Sequence, residues 1–112
     1  MNSKILGDMG ESKVFVYLRE HGYILVEKNY VCPIGEIDII AKHDGMIVFV
    51  EVKTRSSKKF GLPRETVGFQ KQQKLRNLAM YYLKATKNFN TQCRFDIAEV
   101  LGDEITLIQN AF

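Results

Sequence analysis

Cysteine is scarce in this chain. Cys32 and Cys93 stand far apart and outside any Cys-x-x-Cys or Cys/His spacing, which argues against a disulfide framework and a structural zinc site. They read as two partly buried thiols. Long apolar runs are missing too: tyrosines aside, the longest is Met46–Val50, far short of the roughly 20 residues of a membrane span. The opening residues Met1-Asn2-Ser3-Lys4-Ile5-Leu6-Gly7-Asp8 hold no signal-peptide stretch, so a soluble, cytoplasmic protein without a membrane partner is expected. Histidine is limited to His21 at a helix end and His43 beside a turn. Neither has a partner at ligand spacing, and capping or surface roles suit them better than metal binding. Internal repeats, linkers and low-complexity segments are absent as well.

What is present suits a single domain over residues 1–112, because 112 residues with 46% hydrophobic content can bury one core but not two. The net charge of +3 hides an uneven distribution. Between residues 53 and 76 lie Lys53, Arg55, Lys58, Lys59, Arg64, Lys71, Lys74 and Arg76 against Glu65 alone, a surplus of seven, while the rest of the chain is negative by four. Such a concentration suggests a surface that meets polyanions, the alternative being a solvated face.

Val14, Tyr17, Leu18 and His21 recur at helical spacing, and Gly22 follows, which predicts a helix from about Gly7 to His21. Tyr23–Val31 reads as a strand. Glu36–Ala41 and Ile47–Lys53 alternate around Asp44-Gly45, a strong hairpin signal. Thr54–Glu65, polar and basic with Gly61 and Pro63, suits a loop. A second helix carries the stripe Leu75, Leu78, Ala79 and Tyr82 with Thr66 as an upstream cap, and Arg94–Val100 and Ile105–Ile108 add two strands. The order α-β-β-β-α-β-β predicts an α/β domain with a mixed five-stranded sheet and helices packed against it.

If Asp44-Gly45 closes a symmetric hairpin, facing residues have numbers summing to 89, with Asp38 opposite Glu51 and Glu36 opposite Lys53. Alternation then puts these four on one face, and Val48, Val50, Val52, Ile37 and Ile39 on the other. Two opposed carboxylates repel by ~0.2–1 kcal/mol unless a cation lies between them. Magnesium suits that role, since it takes hard oxygen ligands, usually only one or two carboxylates, and keeps waters that become nucleophiles. The plainer alternative is exposed acids and a surface Glu36–Lys53 pair. Glu11 lies three residues before Val14 and seven before Leu18, on the apolar stripe, and Gly7 and Gly10 on the same side allow close approach to the sheet. A core-facing carboxylate needs a partner, although a first-turn Glu favoured by the helix dipole is the competing reading. Lys71, four residues before Leu75, begins the inward stripe, placed to reach a phosphate or merely to snorkel. Tyr81, Tyr82, Phe15 and Phe89 read as core; Phe60, among Lys58, Lys59 and Arg64, reads as either loop or base contact.

Gly35-Glu36-Ile37-Asp38-Ile39-Ile40 followed by Val48-Phe49-Val50-Glu51-Val52-Lys53-Thr54-Arg55 resembles the signature of the YraN family, a bacterial family with an endonuclease-like fold. Gly10-Glu11, Tyr17-Leu18, Gly22-Tyr23, Asn29, Lys71, Ala79, Arg94-Phe95-Asp96 and Asn110-Ala111-Phe112 extend the likeness over essentially the whole chain. Val14 departs from it, where the family usually has a small residue. The resemblance implies the restriction-endonuclease-like PD-(D/E)XK core, shared with archaeal Holliday-junction resolvases. By it Asp38 is the first acid, Glu51 the second, Lys53 the motif lysine and Glu11 a helix-borne acid that helps hold a metal through water. The proline usually written before the first acid is Ile37 here.

The expectation is a Mg2+- or Mn2+-dependent nuclease acting on DNA, including branched DNA. Asp38, Glu51 and the Val52 carbonyl hold the metal, Lys53 serves the attacking water, and Arg55, Lys58, Lys59, Arg64, Lys71 and Lys74 contact nucleic acid, with Glu36 in a secondary place. A non-catalytic nucleic-acid-binding module of the same fold is the alternative. A homodimer is left open.

Overall fold

The structure, a computed structural model, describes residues 3–55 and 67–112, with side chains from residue 7 onward. Helix α1, Ser3–Glu20, stops where Gly22 adopts φ 87°. There Tyr23 N–H donates to Leu18 C=O at 3.0 Å and Gly22 N–H to Arg19 C=O at 3.4 Å, the paired bonds of a Schellman cap. Strands β1 (Ile24–Cys32), β2 (Gly35–His43) and β3 (Met46–Arg55) follow, then α2 (Phe69–Ala85), β4 (Cys93–Leu101) and β5 (Glu104–Ile108). Gly68 occupies the α2 N-cap without a side-chain hydrogen bond. The expected cap Thr66, together with Lys58, Lys59, Phe60 and Arg64, lies outside the described residues.

The five strands lie in chain order, β1-β2-β3-β4-β5. Of these neighbours only β3 and β4 run parallel, joined through α2, which is what a crossover helix requires, and the antiparallel neighbours are joined by short turns. Asp44 and Gly45 have φ of 52° and 75°, as a two-residue type I′ turn demands. The register from His43↔Met46 to Ile39↔Val50 sums to 89 throughout, as predicted.

Each sheet face buries its own apolar cluster, under its own helix. Val14 and Leu18 of α1 meet Ile39, Ala41, Val48, Val50, Ala98 and Val100. Leu75, Leu78, Ala79 and Tyr82 of α2 meet Ile37, Ile40, Ile47, Phe49, Phe95 and Ile97. Ile37 therefore faces α2, not the side of Ile39 and Val50 as strict alternation predicted. The β1–β2 ladder passes from Lys28↔Ile39 to Tyr30↔Ile37 across Asn29, whose φ is 55°, so the regular pleat is interrupted at the level of Asp38.

At the start of β4 a buried polar network ties the C-terminal segment down. Asp96, fully buried, accepts from Arg94 Nε and Nη2 at 2.9 Å each, from Tyr23 OH at 3.0 Å and from Asn110 N–H at 2.9 Å. Gln109 donates to Tyr23 OH at 2.9 Å, and the Tyr23 ring stacks on His43 at 4.0 Å. Beyond it, Phe112 stacks on Phe95 at 5.0 Å, and the Arg76 guanidinium lies 5.3 Å from the Phe112 ring.

Candidate functional site

At the opposite end of the β2–β3 hairpin from its turn, the ladder ends at Ile39↔Val50. One residue further, the Asp38 carboxylate accepts the Val52 N–H at 2.8 Å. Asp38 and Glu51 are therefore not the opposed cross-strand pair that the register predicted; the Asp38 side chain reaches across to the β3 backbone instead. A cleft of about 400 Å3 opens here, lined by Gly7 and Glu11 of α1, Glu36 and Asp38 of β2, Glu51, Val52 and Thr54 of β3, and Lys71 of α2. Both helices and strands β2 and β3 contribute. The cleft thus sits where the β2–β3 ladder opens, between the two helices.

Glu11 enters as its position on the apolar stripe predicted. Gly10 makes this possible, since a Cβ there would collide with Thr54 Oγ1, so only glycine lets α1 lie this close to β3. Gly7 differs: a Cβ would meet nothing, and its part is only to line the cleft. The Oε2 atom of Glu11 is buried without a hydrogen-bond partner. Burial foremost, then the charge of Asp38 and the contact with it, lift the Glu11 carboxyl from 4.5 to about 7, with Asp8 adding and Asn29 opposing.

Burial likewise raises Asp38, against the Val52 N–H, Glu11 and Lys71, which favour its ionised form. Glu51 is raised by burial and then by Asp38, and Lys71 and Lys53 oppose the rise. Both ammonium groups lie 3.6 Å from the same Glu51 oxygen. The predicted facing of Glu36 with Lys53 is thus replaced by a Lys53–Glu51 pair two residues apart on one strand, and Glu36 is exposed at the rim. Lys71 is where its helical position placed it, across from the acids.

Arg55 departs from expectation. Its Nε lies 2.6 Å from Glu99 Oε2 with both side chains about nine-tenths buried, so it is spent within the sheet and is not offered to a phosphate. This partner could not be seen locally, because Glu99 reaches Arg55 only through the parallel β3–β4 pairing. Thr54 was missed as a cleft residue; its signal was the alternation that turns it toward Gly10. Lys74 is exposed on α2, beside the β1–β2 turn.

Three carboxylates desolvated together, one with an orphaned oxygen, fit a hard divalent cation, whose charge would relieve both their repulsion and their missing partners. Among the described residues no three acids, histidines or cysteines form a preformed cage. An open site with one or two carboxylates and water is the arrangement magnesium takes.

Residues 10–100 match the family model described as uncharacterised protein family UPF0102. A UPF0102 protein of Caldanaerobacter subterraneus subsp. tengcongensis is 50% identical over 119 residues, covering all of this chain and 98% of that one. Those of Clostridioides difficile and Lachnoclostridium phytofermentans are 49% and 45% identical, with all of this chain covered and 100% and 96% of theirs. Among solved structures, that of the protein called SSO0001 superposes with a TM-score of 0.51 at 21% identity, over 96% of this chain and 52% of that one, a likeness of fold. No helix among the described residues is long and apolar enough to cross a membrane. The α-β-β-β-α-β-β order around a mixed sheet is the one the residues predicted, and the chain belongs to the UPF0102 family, the YraN-like family its hairpin resembles.

Proposed function

We propose that this chain is a Mg2+- or Mn2+-dependent phosphodiesterase acting on DNA, branched DNA included. One observation carries the reading: Glu11, Asp38 and Glu51 are desolvated together in a cleft that Lys71 also lines, with the Lys53 ammonium 3.6 Å from Glu51. Stability alone does not favour crowding carboxylates this way, whereas a site that must bind a cation and then a phosphate does. Asp38, Glu51 and the Val52 carbonyl would hold the metal. A residue in an extended strand sends its N–H and C=O to the same side, so the Val52 carbonyl is turned toward Asp38 as its N–H is. Glu11 would reach the metal through water. When bound, the cation would supply charge to the phosphate oxygens and acidity to a coordinated water.

The chain's own residues supply the rest. The Lys53 ammonium, 3.6 Å from Glu51, would orient the attacking water or the phosphate, and Lys71 would neutralise a non-bridging oxygen. The test is a cleavage assay with magnesium and with manganese over linear, flapped, four-way and single-stranded DNA and RNA, with Glu51→Ala as the control. Metal-dependent cleavage absent from the control is expected. Binding without cleavage of any substrate would replace the reading by a non-catalytic nucleic-acid-binding module of the same fold.

A further inference from the structure

A second cleft, of about 550 Å3, adjoins the carboxylate site and shares Glu36 and Lys71 with it. Its walls are the β1–β2 turn on one side and Lys71 and Lys74 of α2 on the other. Gly35 brings the walls together. Its φ is 147°, and a Cβ there would stand 3.3 Å from Lys74 Cε and 3.4 Å from Leu78 Cδ2. The Lys74 stem therefore lies across a glycine, and the turn and helix jointly hold it at the cleft. The turn itself presents apolar surface with nothing on it: Val31 is 70% and Ile34 48% exposed. Pro33, with its fixed φ, stiffens the tip just before Ile34.

Two cations facing an apolar tip suit one kind of occupant. Lysines take phosphates whatever the sequence. Exposed aliphatic side chains gain by burying apolar surface against sugars and base faces, and a stacked duplex hides those faces while an unpaired strand offers them. Glu36, an acceptor only, stands at the boundary and repels phosphate toward the lysine wall. We propose that the cleft between the β1–β2 turn and α2 holds the unpaired nucleic-acid strand running on from the phosphate at the carboxylate site, with Lys71 and Lys74 on its backbone and Val31 and Ile34 against its bases. This rests on the reading of the neighbouring cleft as a phosphodiester site. It adds that the substrate carries a single-stranded stretch beside the point of attack.

The two native thiols give a test that needs no cleavage. Cys32 lines this cleft, whereas exposed Cys93 pairs with Ile47 at the hairpin-turn end of the sheet. In EDTA, a short single-stranded oligonucleotide is expected to protect Cys32 from N-ethylmaleimide and leave Cys93 unaffected, and a blunt duplex of the same sequence to protect it less. Ile34→Asp should weaken single-strand binding about tenfold, and Lys74→Gln should lower the slope of log affinity against log salt by about 0.7. Both variants should keep the wild-type melting temperature and manganese response. Unchanged Cys32 reactivity, equal protection by the duplex, or an Ile34→Asp loss as large on duplex as on single strand would each overturn the proposal. Protection of Cys32 in a protein that cleaves nothing leaves the strand-binding cleft standing and removes the nuclease reading; cleavage without protection does the reverse.

Discussion

Two carboxylate clusters lie on the same sheet, Asp96 beside Val50 and Glu51 one residue further along β3, and the fold treats them in opposite ways. Asp96 is fully buried and accepts four hydrogen bonds, two of them from the Arg94 guanidinium. Asp38 has the Val52 N–H and an acidic neighbour, Glu51 two lysines at 3.6 Å, and Glu11 a buried oxygen with no partner. A network satisfied this fully holds structure, because losing any member strands a buried charge. A cluster left short of partners holds potential energy that a ligand can release. Glu51 is buried as Asp96 is, so burial alone does not separate structural acids from functional ones; the partners each carboxylate finds do.

That contrast can be tested by breaking each cluster. The largest effect is expected from Lys53→Met, which should lower cleavage by about 10²–10⁴-fold while DNA binding stays near normal, since one charge is lost from many. Equal activity in variant and wild type would remove Lys53 from the chemistry. Next, Asp96→Asn should cost about 3–5 kcal/mol in urea unfolding by leaving Arg94 uncompensated. Asp38→Asn should cost nothing or stabilise slightly, because it relieves crowding. If both substitutions destabilise alike, the two clusters do not differ as described.

Manganese gives a smaller and more specific signal. At about a hundred times Kd a ligand of the folded state adds roughly 2.7 kcal/mol, a rise of several degrees in melting temperature for a domain of this size. Asp38→Asn should show little of it and Asp96→Asn should keep it. Equal shifts in wild type and Asp38→Asn would place the cation elsewhere.

The smallest effect is on pH dependence. A carboxyl lifted from 4.5 to about 7, as Glu11 is, keeps in the folded state a proton that the unfolded chain has already released. Metal-free stability should therefore fall as pH rises through that window and level off above it. Asp38 and Glu51, also raised, act in the same sense, so Glu11→Gln should make the decline shallower without abolishing it. Denaturation midpoints across about pH 5 to pH 8 measure this; identical slopes in variant and wild type would show that Glu11 is not desolvated in solution.

Local features of the fold are legible in the residues themselves. Gly22 ends α1 as its position indicates, Asp44-Gly45 closes the hairpin in the register summing to 89, and the α2 stripe of Leu75, Leu78, Ala79 and Tyr82 is the buried face. The inward placing of Glu11 and Lys71 follows from the same helical spacing. Each of these depends on residues within about two turns or one hairpin, where backbone stereochemistry and side-chain period leave little choice.

What tertiary structure alone decided depends on elements far apart in sequence. The end of the β2–β3 ladder at Ile39↔Val50 turned Asp38 from a cross-strand partner of Glu51 into an acceptor of the Val52 N–H, and the interrupted pleat moved Ile37 to the α2 side. Parallel pairing with β4 gave Arg55 to Glu99, and packing of α2 against Gly35 set Lys74 at the second cleft. Alternation specifies a face only while a strand stays paired and pleated; where the ladder opens, the side chains answer to whatever the neighbouring layers bring within reach.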